Sequence, residues 1–186
     1  MISFGRMFAT IGIVLCFAST GLVLAGVPVV DLVMTGRNPA PGDTFSIALH
    51  VTKAPPFANW AEVLRFDTAR VRLVSQSAGT FSTFISDSRQ LDDINATGEV
   101  RTGGFGFEDN RGGSGTLGVF SFKRLAMGSA VFTADIKSKK SPFGLIFKTS
   151  NGKILFPAKV PPLVAFAPTA VIGEDKKGVR PVPGKE

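Results

Sequence analysis

The chain has 186 residues, a single cysteine, a single histidine and a formal net charge of +7. One cysteine excludes an internal disulfide, and one histidine excludes a metal site built from several histidines. The length suits one domain with a core large enough to fold without cross-links. The cations are mostly scattered singly, with no aromatic-rich nucleic-acid motif beside them, so we expect no nucleic-acid partner.

Residues 1–25 have the outline of a secretory signal peptide. Arg6 precedes an uncharged, mostly apolar run from Met7 to Ala25, and this run ends in small or apolar residues. Such an order is typical of a cleaved leader, so we expect cleavage before Gly26 and a secreted, periplasmic or cell-surface protein. An uncleaved anchor is the alternative, because the uncharged run could cross about 30 Å of hydrocarbon. Only in that case would the protein be attached to a membrane.

From Val29 onward the apolar residues recur with a period of two, which predicts β-strands. In residues 44–51 the positions Phe45, Ile47, Leu49 and Val51 share one face. Residues 60–66 repeat the pattern, and no segment after the leader has a sustained helical period. The sequence therefore predicts an all-β fold made of antiparallel strands.

Further strands are predicted at shorter apolar runs. These runs are residues 71–74, 99–101, 105–108, 116–123, 130–136, 143–148 and 154–156. Asn151-Gly152, between the last two runs, predicts a β-hairpin. Residues 82–98 are mostly polar and are predicted to be a loop with one short strand. We assign residues 26–160 to the module, and residues 161–186, which are rich in proline and lysine, to a flexible tail.

Several short motifs follow one another in a fixed order. Pro41-Gly42-Asp43 forms a turn before the first long strand, and Leu64-Arg65-Phe66-Asp67 ends the next one. Later come Gly115–Phe122 after a glycine-rich turn, and then Gly128 before the following strand. In this order and spacing, the region from 29 to 156 resembles the cohesin modules. The resemblance implies a jelly-roll β-sandwich of about nine strands.

The same resemblance implies a function in binding. Cohesin modules bind dockerins or serve as surface adhesion and scaffold elements, so we expect an exported, non-catalytic module with a dockerin-like or cell-surface protein partner. The matching motifs transfer no contact residues. The alternative is a carbohydrate-binding module that recognises polysaccharide through Trp60 and Glu62, because an aromatic plane beside a hydrogen-bonding group can hold a sugar ring. A core position for Trp60 is the competing interpretation.

Glu62 breaks the local pattern, because its predicted strand face also carries Trp60, Leu64 and Phe66. An unpaired buried charge would cost several kcal/mol. We therefore expect either a β-bulge at Glu62 or a partly open face there, with an ion pair as the third possibility.

No catalytic, cofactor or metal site is predicted. His50 is expected on the outer face of its strand, without the partners of a catalytic triad. Asp87 and Asp92-Asp93 could ligate calcium only by residue type, since their spacing matches no calcium loop, and Glu108-Asp109 is a carboxylate doublet without a partner motif. Asn95-Ala96-Thr97 matches the N-glycosylation pattern.

Overall fold

The computed structural model describes residues 27–36, 38–106, 112–137 and 144–166. The predicted leader, the Glu108-Asp109 doublet and residues 167–186 of the predicted tail lie outside the described residues. The described part contains ten strands and one helix. In chain order they are β1 Val29–Thr35, β2 Thr44–Ala54, β3 Asn59–Phe66, β4 Val71–Ala78, α1 Leu91–Thr97, β5 Glu99–Phe105, β6 Gly113–Arg124, β7 Ala130–Ala134, β8 Ile146–Lys148, β9 Ile154–Leu155 and β10 Leu163–Ala165.

The strands form two antiparallel sheets. The first sheet has four strands in the order β1-β2-β6-β4, and the second has six, with β10-β7-β3-β8-β9 as its main path. Strand β5 pairs with β3 along Asn59–Arg65. The opposite edge of β3 is shared, because β8 pairs with residues 59–61 and β7 with residues 64–66. The predicted all-β sandwich is confirmed, with ten described strands in place of about nine.

Alternation along the strands builds one core between the sheets. On β2, the four apolar positions of the predicted face are all buried. Phe122 on β6 and Phe132 on β7 join the two sheets, with ring centroids 5.1 Å apart at an interplanar angle of 64°. Full burial of one such aromatic side chain stabilises the folded state by about 1.5–3 kcal/mol. The packing of these two rings therefore helps to hold the two sheets together.

Helix α1 was not predicted, and it replaces part of the predicted loop at residues 82–98. Its single buried side chain is Ile94, so the apolar signal that marks an amphipathic helix is almost absent. Asn95 fastens the helix to β4. Its Oδ1 accepts the amide of Leu73 at 2.6 Å, while its Nδ2 donates to the carbonyl of Leu73 at 3.0 Å.

The predicted end of the module at residue 160 is too early. Strand β10 pairs with β7, and Ala165 and Phe166 are buried. Pro161 and Pro162 precede this strand, where the missing amide hydrogen costs no ladder hydrogen bond. Arg124 holds this end of the fold, because its guanidinium lies 4.2 Å from the centre of the Phe166 ring.

Residues 82–85 run along the outer edge of β5. Thr83 N donates to Phe105 O, and Ile85 exchanges two backbone hydrogen bonds with Gly103. A Cβ at Gly104 would lie 1.9 Å from the carbonyl oxygen of Thr83, so the close approach requires glycine there. No described helix is long and apolar enough to cross a membrane.

Candidate binding surface

The side of the second sheet that faces away from the core is the candidate surface, called here the outer face. On β3, Trp60, Glu62, Leu64 and Phe66 are buried toward the first sheet, whereas Ala61 and Arg65 are exposed. Arg101 on β5 and Val131 on β7 are exposed beside them. The outer face therefore presents side chains on three adjacent strands.

A row of ion pairs crosses the outer face from β7 to β5. Arg65 Nε lies 2.7 Å from Asp135 Oδ2, and Arg65 Nη1 lies 2.6 Å from Glu99 Oε2. Arg101 Nε lies 2.6 Å from Glu99 Oε1, so this carboxylate is shared by two guanidinium groups. The arginine side chains are about half exposed, and each pair contributes at most about 1 kcal/mol in such a setting. Their main effect is to hold the side chains in a fixed pattern.

Asp87 extends this row beyond β5. It accepts hydrogen bonds from the Arg89 side chain, with Nη2 at 2.6 Å, and from the backbone amide of Arg101 at 2.8 Å. Burial by itself would raise the pKa of Asp87, but these hydrogen bonds outweigh it and hold the pKa below its ordinary value. Asp87 therefore stays ionised and fixes the segment before α1 to β5.

A cavity of about 190 Å³ lies beside β3, between the residues that pair with β8 (59–61) and those that pair with β7 (64–66). Ala61, Val63 and Ile146 give it apolar walls, and Arg101 and Lys137 are its basic residues. Glu62 and Thr102 also line it. Glu62 and Thr102 lie on the core side of their strands, so the side chains that face outward at this cavity are apolar or basic.

The structure contradicts the β-bulge and the partly open face that were expected at Glu62. The register between β3 and β5 is continuous from Asn59 to Arg65, so there is no bulge, and Glu62 is only 1% exposed. Within the described part of the chain, neither carboxyl oxygen of Glu62 has a hydrogen-bond partner, and the same is true of Oγ1 of Thr102, directly across the ladder. Burial raises the pKa of Glu62 to about 8, so the carboxyl group is protonated at neutral pH and the cost of a buried charge is avoided.

Trp60 is a core residue in this structure. Its side chain is 2% exposed, and its Nε1 donates to Ser82 Oγ at 2.8 Å. The ring offers no exposed face on which a sugar could stack. Ligand binding by Trp60 and Glu62 stays a prediction that would require β3 to separate from its neighbours.

The remaining candidates are held in structural contacts. His50 is half-buried, and its Nδ1 lies 3.5 Å from Thr116 Oγ1. Asp92 is in the first turn of α1, and its Oδ1 lies 2.5 Å from Nη2 of Arg72 on β4. Asn95 of the glycosylation pattern uses its amide group to bind Leu73, and a glycan on Nδ2 would compete with the hydrogen bond that this nitrogen donates. Among the described residues, no group of three or more His, Cys, Asp or Glu side chains could hold a metal ion.

Sequence reasoning missed the ion pairs of the outer face. The available signal was the placement of Arg65, Glu99 and Arg101 at positions that alternate with core residues on their strands. Alternation gives the face of each residue but not its partner on another strand. Arg65 and Asp135 are 70 positions apart, so only the folded sheet brings them together.

Comparison with known proteins finds the same architecture in solved structures. No family model and no curated protein matches the chain. A type II cohesin domain from the cellulosome of Acetivibrio cellulolyticus is similar at 15% identity and a TM-score of 0.61, with 75% of this chain and 95% of that domain covered. The non-cellulosomal cohesin of the archaeon Archaeoglobus fulgidus is similar at 14% identity and a TM-score of 0.52, covering 73% and 85%.

A third similar structure was solved with its partner bound. It is the sixth cohesin of scaffoldin B from Acetivibrio cellulolyticus in complex with a mutant dockerin, at 12% identity and a TM-score of 0.57. The alignment covers 75% of this chain and 99% of that one. At such identities the similarity concerns the fold, and this chain has a cohesin-like fold.

Proposed function

We propose that this cohesin-like chain is a non-catalytic module that binds a protein partner of the dockerin kind through the outer face of its second sheet. The observation that carries the proposal is the cohesin-like fold, which a similar structure uses to hold a dockerin. The outer face supports it, because its arginines and carboxylates are already held in place by ion pairs. A surface ordered before binding loses little side-chain entropy when the partner arrives.

The proposal also places the module outside the cytoplasm, in the envelope or medium of its source. The support is the leader-like run from Met7 to Ala25. Fractionation of the source cells, followed by N-terminal sequencing of the protein, tests this part. An N-terminus at Gly26 in an exported fraction is expected, whereas full-length protein in the cytoplasmic fraction would contradict it.

Partner capture tests the binding role. The purified protein, immobilised on beads, is incubated with envelope and culture-medium extracts of its source, and retained proteins are identified by mass spectrometry. Ala61→Arg places a long cationic side chain in the middle of the outer face and should abolish retention of the partner. Val33→Arg is the matched control, because Val33 is 43% exposed and lies on β1 of the first sheet.

Partner capture by the two variants shows whether the outer face is the binding surface. Loss of capture with Ala61→Arg and retention with Val33→Arg supports binding through the outer face. Equal capture by both variants would contradict that location. Retention of polysaccharide and of no protein would contradict the proposal and favour the carbohydrate alternative.

A further inference from the structure

A groove lies on the first sheet, between the ends of β4 and β6 and helix α1. It is called here the α1 groove, and its lining includes Arg72, Val74, Leu91, Asp92, Lys123 and Leu125. Its volume of about 470 Å³ is within the range of roughly 300–1,000 Å³ typical of ligand sites. The outer face belongs to the second sheet and β4 and β6 to the first, so the two surfaces lie on opposite sides of the sandwich.

Three large apolar side chains are exposed in the α1 groove. Val74 on β4, Leu91 at the start of α1 and Leu125 just after β6 are each 40–44% exposed. Single apolar side chains are normal on a protein surface, whereas several around one concavity, with polar groups at the rim, are typical of an interaction site. The groove can therefore contact an aliphatic side chain of a partner.

The charges of the α1 groove favour an anionic partner. Arg72 and Lys123 are directly opposite each other on β4 and β6, and both are exposed. Like charges in this arrangement destabilise a sheet. Asp92 pairs with Arg72, with Oδ1 2.5 Å from Nη2, but no carboxylate of the described residues lies within ion-pair distance of Lys123. A carboxylate from a partner would neutralise the charge that is left over.

The walls of the α1 groove are held in place before a partner arrives. Asn95 fixes α1 to β4 through its two hydrogen bonds to Leu73, and the ion pair described above joins the same two elements. On the other side, the amide of Leu125 donates to the carbonyl of Arg70 at 2.7 Å. Because the walls are already fixed, little conformational entropy is lost on binding.

We propose that the α1 groove binds an acidic and aliphatic segment of a second protein, in which a glutamate or aspartate lies beside a leucine-like side chain. Lys123 pairs with the carboxylate, and Val74, Leu91 and Leu125 contact the aliphatic side chain. Charge alone would also attract an anionic polysaccharide, but the three apolar side chains favour a peptide. The inference goes beyond the proposed function, because it adds a binding surface on the other side of the sandwich and lets one module join two proteins.

A peptide titration tests the groove directly. The ¹⁵N-labelled protein is titrated with acetyl-Leu-Glu-Leu-amide, with its glutamine analogue, with acetyl-Ala-Glu-Ala-amide and with polygalacturonate, while amide chemical shifts are followed. The first peptide should give saturable shifts at Val74, Leu91 and Lys123, and the glutamine analogue should bind about fivefold more weakly, the loss expected for one exposed ion pair. Equal affinity for the glutamine or the alanine analogue would overturn the inference. Shifts at these residues with polygalacturonate and with no peptide would also overturn it, in favour of a polysaccharide site.

Substitutions in the groove separate recognition from general charge attraction. Lys123→Glu should weaken binding of the glutamate peptide about tenfold, because attraction is replaced by repulsion. The variant should be as stable as the wild type or more stable, since it removes a pair of like charges across the ladder, so a loss of binding is not a loss of folding. Lys153→Glu, in the turn between β8 and β9, is the matched control and should leave the affinity unchanged. Val74→Ser should weaken binding by removing apolar contact. Equal losses in the two lysine variants, or no loss with Val74→Ser, would contradict the groove.

The variant Ala61→Arg shows whether the two surfaces are independent. It changes the outer face only, so the glutamate peptide should bind it as tightly as it binds the wild type. A weaker affinity would contradict a separate site in the α1 groove. If only the proposed function is wrong, no protein is captured through the outer face, yet the peptide still shifts the amide of Lys123.

Discussion

The buried Glu62 makes the stability of the fold depend on pH. Its pKa is about 8 in the folded protein against an ordinary value of 4.5, so between these values the folded state holds a proton that the unfolded state has released. By linkage, the contribution of Glu62 to the free energy of unfolding is fully present below pH 4.5 and is lost as the pH rises toward and through 8. At about 1.4 kcal/mol per pKa unit, the loss is on the order of 5 kcal/mol.

A loss of this size is large, because the whole stability of a domain is about 5–15 kcal/mol. Denaturant unfolding at pH 5, 7 and 9, followed by the fluorescence of the single tryptophan, Trp60, measures it. Glu62→Gln keeps the shape of the side chain but cannot ionise, so its stability should change much less over this range. The difference between the two profiles isolates the contribution of Glu62 from that of every other titrating group.

The outcome that refutes the reasoning is equally specific. If the wild type and Glu62→Gln lose the same stability between pH 5 and pH 9, the Glu62 carboxyl is not a buried group with a raised pKa. If the wild type gains stability relative to the variant over this interval, Glu62 is ionised and paired in the folded protein.

Substitutions at three further positions test contacts that hold the loops to the sandwich. Asn95→Ala removes both hydrogen bonds to Leu73 and should cost about 2 kcal/mol, with faster hydrogen exchange of the Leu73 amide; unchanged exchange would contradict the role of Asn95. Arg124 donates hydrogen bonds to the carbonyls of Pro39, Ala126 and Gly128. Arg124→Met removes this donor and should cost about 3 kcal/mol, and Arg124→Lys should restore less than half of this loss, since one ammonium group cannot span the three carbonyls. Gly104→Ala forces a Cβ against the Thr83 carbonyl and should lower the melting temperature, with a loss of about 3 kcal/mol; a melting temperature equal to that of the wild type would show that residues 82–85 move away freely.

The period of two in the sequence predicted strands without any knowledge of which strands pair with each other. Phe45, Ile47, Leu49 and Val51 alternate with small or polar residues, and all four are in the core. The hairpin at Asn151-Gly152 was equally local, and β8 and β9 pair across it. These features follow from turn chemistry and a period of two, which depend only on neighbouring residues.

Features that depend on distant residues could not be predicted. The burial of Glu62 is decided by Thr102 and by strands from the other half of the chain, and the bulge expected there was wrong. Helix α1 has one buried residue and is held by a hydrogen-bonded pair at Leu73, so its own sequence gives no helical period. In the same way, Arg65 shows no sign in the sequence of the two carboxylates that it joins.

The segment formed by residues 82–85 also limits how the protein can assemble. Exposed β-strand edges recruit further strands, and this is the route to domain swapping and fibrils. Because Thr83 and Ile85 occupy the backbone groups at the outer edge of β5, an incoming chain cannot extend the second sheet on that side. Association next to the outer face is thereby directed to side-chain contacts, which distinguish one partner from another, and away from backbone pairing, which does not.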